Sequence, residues 1–206
     1  MSIKNLQNTE KKRYAITMQL TKTAMLIAIM VLAALFIKIP FYPVPLTLQT
    51  TIAILAGFIL RWKYGMIAMA IYMCMGLIGI PVFSGLLPGF AAVLKPSFGY
   101  VLGFIATAYV VGVLANCMRK SFWNYLWIAL VGVAVNYAIG LPYFMLIVHT
   151  LGLSGQDGLS AFSMTVIWTY NLIYLPKDIL LSLLAISLIY KIDSFMQKAN
   201  RENKKL

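Results

Sequence analysis

The sequence predicts an all-α polytopic membrane protein, a bundle of six transmembrane helices with both termini in the cytoplasm. The first observation is composition: 62% of the residues are hydrophobic and 11% are charged, against about 45–50% and 25% in soluble domains. The second is that the apolar runs are long and continuous, whereas strands of membrane barrels alternate apolar and polar residues. The third is a one-sided distribution of basic residues. We expect a single integral membrane domain over residues 1–206, with cytoplasmic tails at 1–13 and 194–206.

The apolar runs define six spans. They cover residues 18–37, 46–61, 64–80, 97–118, 123–149 and 165–190. The second and third are shorter than the roughly 20 residues that a helix needs to cross a bilayer. We therefore expect bent backbone or covering loops in that part of the bundle.

The basic residues orient the bundle. With the N-terminus in the cytoplasm, all of the 17 Lys and Arg residues except Lys38, Lys95 and Lys177 fall in inner segments or at inner span ends. This is the arrangement that the positive-inside rule describes. The formal charge of +12 is therefore explained by topology in a lipid bilayer, and it does not indicate a nucleic-acid partner.

The outer connections differ from the inner ones, which are short and basic. Residues 41–46 contain two prolines, which stiffen the loop and prevent a continued helix. Residues 80–96 are apolar yet rich in Gly and Pro, so we expect this segment to fold back over the helices as a lid. The asymmetry predicts that recognition takes place at the outer face.

One acidic side chain, Asp178, lies deep in an apolar stretch. A carboxylate at the bilayer centre opposes insertion by about 2.5–3.5 kcal/mol, and an apolar residue would fill the same volume without that cost. Asp178 is therefore a candidate functional residue. The alternative is a structural ion pair between helices, and Lys177 is the nearest charge.

Small residues mark two kinds of helix surface. In the first span, Ala24 and Ala28 form a flat strip on which another helix can pack closely. The residues alone leave open whether that helix belongs to this chain or to a partner.

The fourth and fifth spans carry small residues for which internal packing is the better interpretation. Gly99 and Gly103 form a G-x-x-x-G in the fourth span, and Gly132, Asn136 and Gly140 share one face of the fifth. Asn136 requires a hydrogen-bond partner in the bundle or in a cavity.

Amide and hydroxyl groups open the second span. Thr47 is a suitable N-cap for this helix. Gln49 is as well suited to contact a polar ligand or a lid as it is to a capping role.

No motif indicates catalysis or ATP binding. The chain has no G-x-x-x-x-G-K-[ST] loop and no HExxH pair. His149 and the Gly-Leu-Ser-Gly run at 152–155 invite a comparison with intramembrane serine proteases, but the two groups lie too close together in one short loop. We expect no enzyme activity and no cofactor, and any ATPase motor must be a separate chain.

Four blocks of sequence resemble the BioY family, the biotin-capturing substrate (S) components of energy-coupling-factor (ECF) transporters. They are residues 39–50, 76–83, 96–104 and the Leu-Pro-Lys-Asp run at 175–178. The resemblance implies a six-helix bundle in a prokaryotic cell membrane that binds biotin with high affinity from outside. It also implies a transmembrane coupling subunit and two cytoplasmic ATPase subunits as partners, with Ala24 and Ala28 as the docking strip.

The resemblance also suggests how biotin would be held. Asp178 would accept hydrogen bonds from the ureido N–H groups, and Lys177 would neutralise Asp178 or donate to the ureido carbonyl. Phe90, Phe98 and Tyr100 would wall the apolar part, and Lys95 would meet the ligand carboxylate. The full set of expected substrate-binding residues is Asp178, Lys177, Gln49, Phe90, Lys95, Phe98, Tyr100, Asn136 and Asn171.

The chain departs from the family pattern around Asp178 and in the Gly-rich outer loop, which reads Gly-Leu-Leu-Pro-Gly at 85–89. The pattern has Gly before the aspartate and Lys three residues after it, whereas this chain has Lys177 and Leu181 there. The alternative function is therefore an S component, or a self-contained carrier, for a different small vitamin or related metabolite. A secondary carrier would usually show internal repeats, and we find no convincing repeat. An intramembrane enzyme would need a second catalytic group near Asp178 or Ser154.

Overall fold

The computed structural model describes residues 3–36, 38–39, 46–84, 89–150 and 164–202. Over these residues the fold is helical apart from one short strand pair. The elements in chain order are α1 (Ile3–Leu35), β1 (Lys38–Ile39), β2 (Leu46–Thr47), α2 (Gln49–Ile78), a 3-10 helix (Phe90–Leu94), α3 (Phe98–Cys117), α4 (Phe122–Thr150) and α5 (Met164–Glu202). The two strands are antiparallel, with Lys38 opposite Thr47.

Within the described residues, four helices are long and apolar enough to cross a membrane, as judged by length and composition. The candidate spans are Gln7–Leu35, Gln49–Ile78, Phe98–Cys117 and Phe122–Thr150. The fifth helix, α5, has 39 residues and carries the Lys177–Asp178 pair. This confirms the predicted class, an all-α polytopic membrane protein.

The α2 helix is two antiparallel halves joined by a sharp reversal. Arg61 has φ 65° and ψ −179°, which is not helical. Gln49 Nε2 lies 2.6 Å from the Tyr72 hydroxyl, although 23 residues of straight helix would separate them by about 35 Å. The turn falls where the second and third predicted spans meet. We refer below to the halves as α2a (residues 49–60) and α2b (residues 62–78).

Glycines allow the α2 reversal to pack tightly. A Cβ on Gly65 would lie 3.0 Å from the Cα of Gly57, on the facing half of α2. A Cβ on Gly112 of α3 would lie 2.2 Å from the backbone nitrogen of Trp62. Side chains at these positions would push α2a away from α2b, and the turn away from α3.

The α2a half runs through the centre of the bundle. Its residues are buried almost without interruption from Gln49 to Gly57. Ile52 and Ala53 belong to an apolar cluster shared with α1, α2b and α3. Ile54 belongs to a second cluster formed with α3, α4 and α5. Every helix of the bundle therefore contributes to a core that α2a also lines.

The α3–α4 interface depends on small residues, as predicted. A Cβ on Gly103 would lie 2.3 Å from Oδ1 of Asn136, and one on Gly140 would lie 2.4 Å from the ring of Tyr100. A Cβ on Gly99 would overlap a tyrosine of α4 in the same way. The interpretation of these glycines as internal packing residues is confirmed.

Ala24 and Ala28 lie on an exposed face of α1. The alanines of this helix that are buried are Ala33 and Ala34. The sequence left open whether Ala24 and Ala28 pack inside this chain or against a partner. In the described residues they are exposed and are not packed inside this chain.

The Arg61 conformation generates a stability prediction. Its φ and ψ lie in a region that is essentially reserved for Gly and costs other residues about 1–3 kcal/mol. Arg61→Gly should therefore raise the midpoint of thermal unfolding in detergent, with a gain of about 1 kcal/mol. Lys63→Gly is the matched control, because Lys63 is an exposed helical residue and should lose about 1 kcal/mol. Equal losses in both variants would show that Arg61 is not strained.

Candidate functional site

The Asp178 carboxylate is buried where α2, α4 and α5 meet. The side chain is 5% exposed. Tyr137 donates a hydrogen bond of 2.8 Å to Oδ2, and Thr50 donates to the same oxygen at 3.3 Å. Lys177 Nζ lies 2.7 Å from Oδ1. An ionised carboxylate among apolar helices requires such donors and an opposite charge.

The N-terminus of α2a also stabilises the Asp178 carboxylate. Thr50 is the second residue of α2, so Asp178 lies beside the N-terminus of that helix. Helix N-termini carry a partial positive charge and stabilise nearby anions by about 0.3–1 kcal/mol, and by more when partly buried.

Lys177 links α5 to the strand pair. Besides its ion pair with Asp178, its ammonium donates a hydrogen bond of 2.6 Å to the carbonyl of Thr47 in β2. Adjacent helical residues diverge by about 100°, but the lysine chain is long enough to reach back to the carboxylate next to it. The ion pair with Asp178 lies within α5 instead of joining two helices, and the role of Lys177 toward a ligand stays a prediction.

Asn136 supports the carboxylate through Thr50. It is fully buried, and its Nδ2 donates to the Thr50 hydroxyl at 3.4 Å, which in turn donates to Asp178. Its Oδ1 faces Gly103 and receives no hydrogen bond from the described residues. Asp178, Lys177, Thr50, Asn136 and Tyr137 together form what we call the Asp178 cluster.

Gln49 belongs to a second buried chain of hydrogen bonds, next to the Asp178 cluster. Its Nε2 donates to the Tyr72 hydroxyl at 2.6 Å, and Tyr72 donates to the carbonyl of Val82 at 3.0 Å. Thr47 donates to Gln49 Oε1 at 3.0 Å. The prediction that Thr47 caps the helix is wrong: the N-cap residue is Leu48, and the Thr47 hydroxyl bonds the glutamine side chain instead.

Of the predicted aromatic wall, Tyr100 reaches the cluster and Phe98 does not. The Tyr100 ring lies 5.6 Å from that of Tyr137 at 75°, an edge-to-face contact. Phe98 is buried in the apolar core, with its ring 6.0 Å from Phe83 and 6.1 Å from Tyr143.

Three other expected site residues are not brought to the cluster by the described contacts. Phe90 is 79% exposed on the 3-10 helix. Lys95 is half-buried directly after that helix. Asn171 lies in α5, but its side chain falls outside the described residues, as do residues 40–45, 85–88 and 151–163 of the outer connections. The predicted lid at 80–96 is therefore described only in part, and these assignments stay predictions.

The cluster lies well inside the bundle. Asp178 is 14 residues from the start of α5 and Tyr137 is 13 residues from the end of α4, each about 20 Å along its helix. Since α2a begins at this level, residues 46–48 must enter the bundle to reach it. Within the described residues, no group of three or more His, Cys, Asp or Glu side chains is placed to hold a metal ion. The hydroxyl, amide, ammonium and carboxylate groups of the cluster can hydrogen-bond a polar ligand.

Sequence reasoning missed Tyr137, Thr50 and Tyr72. A usable signal existed for the tyrosines, because a phenol in an apolar span needs a partner for its hydroxyl, and the sequence has few buried acceptors to offer. Thr50 directly follows Gln49, which was singled out, but only the fold places it opposite Asp178.

Comparisons with known proteins show the family and the fold of this chain. The model of a family described as the BioY family matches residues 5–198. The biotin transporter BioY of Thermotoga maritima is 38% identical over 133 residues, covering 65% of this chain and 78% of that protein. That of Lactococcus lactis subsp. cremoris is 26% identical over 175 residues, covering 84% and 89%. A 2.1 Å crystal structure of the S-component for biotin from an ECF-type ABC transporter shares the fold, with a TM-score of 0.71, 24% identity, and coverage of 88% of this chain and 93% of that one.

The Gln49–Tyr72 chain generates a second stability prediction. Tyr72→Phe removes the hydroxyl that accepts from Gln49 and donates to Val82, leaving a buried amide donor without its partner. Such a loss costs about 1–3 kcal/mol, so the thermal unfolding midpoint in detergent should fall. Tyr109→Phe is the control, because Tyr109 is 45% exposed. The same midpoint in both variants would contradict a structural role for this chain of bonds.

Proposed function

The chain belongs to the BioY family, and from this premise and the Asp178 cluster we propose that it captures biotin with high affinity for an ATP-driven ECF transporter. It is a multi-pass membrane protein of the prokaryotic cell membrane. The activity is binding and uptake.

The observation that carries the proposal is the unfilled hydrogen-bonding capacity of Asp178. A carboxylate offers about four acceptor positions, and the described contacts are two hydroxyl donors on Oδ2 and the Lys177 ammonium near Oδ1. The Oδ1 atom receives no hydrogen bond of good geometry from the described residues. The ureido ring of biotin supplies two N–H donors and one carbonyl acceptor. The N–H groups match Asp178, and the carbonyl matches the ammonium of Lys177.

The remaining residues take supporting positions in this proposal. Tyr100 walls the apolar part of the ligand, since it packs against Tyr137 beside the carboxylate. Asn136 orients Thr50 toward Asp178, and Gln49 fixes the start of α2a. Phe98 supports this region from the core, while Lys95 and Asn171 stay candidates for the ligand carboxylate and the approach to the cluster.

The architecture that we propose has six transmembrane segments in a single domain. The reversal at Arg61 divides α2 into two antiparallel segments, and α1, α3, α4 and α5 supply the other four. The distribution of Lys and Arg supports cytoplasmic termini.

Ala24 and Ala28 are proposed as the contact with a transmembrane coupling subunit, which two cytoplasmic ATPases would drive. Both alanines are exposed, and Met25 and Ile29 beside them are 60% and 46% exposed. Exposed small residues one turn apart allow a second helix to approach closely in lipid, where packing and not the hydrophobic effect drives association.

The alternative is a different small vitamin or related metabolite, taken up by an S component or a self-contained carrier. Leu181 favours it, because the chain lacks a lysine one turn after Asp178. Lys177, which reaches Asp178 from the preceding position, compensates for that loss in our proposal. Counter-flow of the ligand in liposomes without ATPases would identify a self-contained carrier.

Isothermal titration calorimetry of the purified protein tests the ligand. Biotin and desthiobiotin, which keep the cyclic urea, should bind, and lipoate, which lacks it, should not. Asp178→Asn should weaken biotin binding by about tenfold or more, equivalent to about 1.4 kcal/mol, while the protein still inserts into the membrane. Asp193→Asn, 15 residues further along α5, is the control. Unchanged affinity in Asp178→Asn would remove this carboxylate from the site, and a preference for lipoate would favour the alternative.

Transport assays with the coupling subunit and the ATPases test the docking strip. Ala24→Leu combined with Ala28→Leu should leave biotin affinity unchanged but abolish uptake, because the larger side chains hold the partner helix away. Ala134→Leu with Ala138→Leu is the matched control, since these alanines are also exposed and four residues apart, on α4. Normal uptake in the α1 variant, or equal loss in both, would reject the docking assignment.

A further inference from the structure

The 3-10 helix between α2 and α3 is apolar and one-sided. Ala92 is buried and packs in the core formed with α2 and α3. On the opposite side, Phe90 is 79% exposed and Leu94 is 57% exposed. A large aromatic and a large aliphatic side chain thus point away from the protein on a segment that carries no charge between Phe90 and Leu94.

This segment lies alongside the helices instead of above their ends. The carbonyl of Val93 accepts a hydrogen bond from Tyr143 at 2.5 Å, and Tyr143 is seven residues before the end of α4 at Thr150, about 10 Å along the helix axis. At the other end, the N–H of Gly89 donates to the carbonyl of Gly76 at 2.8 Å, inside the last turn of α2b. The first contact lies within the length of α4, and the second lies at the end of α2b.

The exposed face of α2b continues into this segment. Ile67, Ile71 and Ile78 are separated by four and seven residues, which places them on one helical face, and they are 36%, 42% and 81% exposed. In a multi-pass membrane protein such a row of isoleucines faces acyl chains. Ile78 lies two residues after Gly76, to which the start of the 3-10 helix is bonded.

We propose that the 3-10 helix is an interfacial lipid anchor, with Phe90 and Leu94 inserted among phospholipid acyl chains beside α2b. Apolar side chains of surface segments enter the boundary between headgroups and acyl chains by about 5–10 Å. The anchor fixes the position of the connection that joins α2b to α3. It does not depend on the identity of the ligand.

Site-directed spin labelling in liposomes tests the anchor. The exposed Cys74 and Cys117 are replaced by Ala, and single labels are attached through Phe90→Cys and, separately, Leu94→Cys. Ile71→Cys is the lipid reference and Lys11→Cys, exposed near the N-terminus of α1, is the water reference. Power saturation with oxygen, which partitions into lipid, and with a water-soluble nickel chelate then reports the surroundings of each label, with and without biotin.

Labels at 90 and 94 should collide more with oxygen than with nickel, should lie shallower than the label at 71, and should not change on addition of biotin. Nickel collisions as frequent as at position 11 would place the segment in water and overturn the proposal. Low collision with both reagents would also overturn it, because the face would then be covered by protein. A fall in collisions at position 90 on addition of biotin would place Phe90 against the ligand and would also overturn the proposal. The two positions are labelled in separate variants. If one variant fails to fold, the label in the other variant still tests the proposal.

Discussion

The electrostatic requirement of one buried carboxylate organises the centre of this molecule. Asp178 is held by hydroxyls from α2 and α4 and by the ammonium of its neighbour in α5. Each of these donors comes from a different helix, so the site exists only when the three helices are assembled. Removing water from an ion costs several kcal/mol unless such partners replace it. The carboxylate therefore constrains the helix arrangement as much as the arrangement creates the site.

The backbone reversal in α2 is the device that brings Thr50 and Gln49 to this level. A continuous 30-residue helix would carry Tyr72 far from Gln49, whereas the turn at Arg61 places them within hydrogen-bonding distance. Glycines at 57, 65 and 112 give the turn and its two halves the room to pack. Packing at the reversal and the position of the polar side chains at the start of α2a are thus parts of the same local structure.

Much of this could be predicted from the sequence, and the remainder depends on long-range pairing. The all-α membrane class, the isolation of Asp178 and the small-residue α3–α4 interface follow from local composition and helical spacing. Thr50 and Tyr137 could not be assigned, because their distance from Asp178 along the chain, 128 and 41 residues, gives no local signal. Phe98 fits an aromatic ligand wall by residue type, yet the fold places it in the core. Thr47 fits a helix cap by residue type, yet its hydroxyl donates a hydrogen bond to the side-chain oxygen of Gln49 instead.

The Lys177 ammonium has two contacts, one within α5 and one with β2. The same three protons serve the Asp178 carboxylate and the Thr47 carbonyl of the strand that leads into α2. A ligand that hydrogen-bonded to this ammonium would change the contact between α5 and the strand. By linkage, a change in that contact would change the affinity for the ligand by the same free energy. The ion pair of Asp178 and the attachment of α5 to the strand pair are therefore coupled through one side chain.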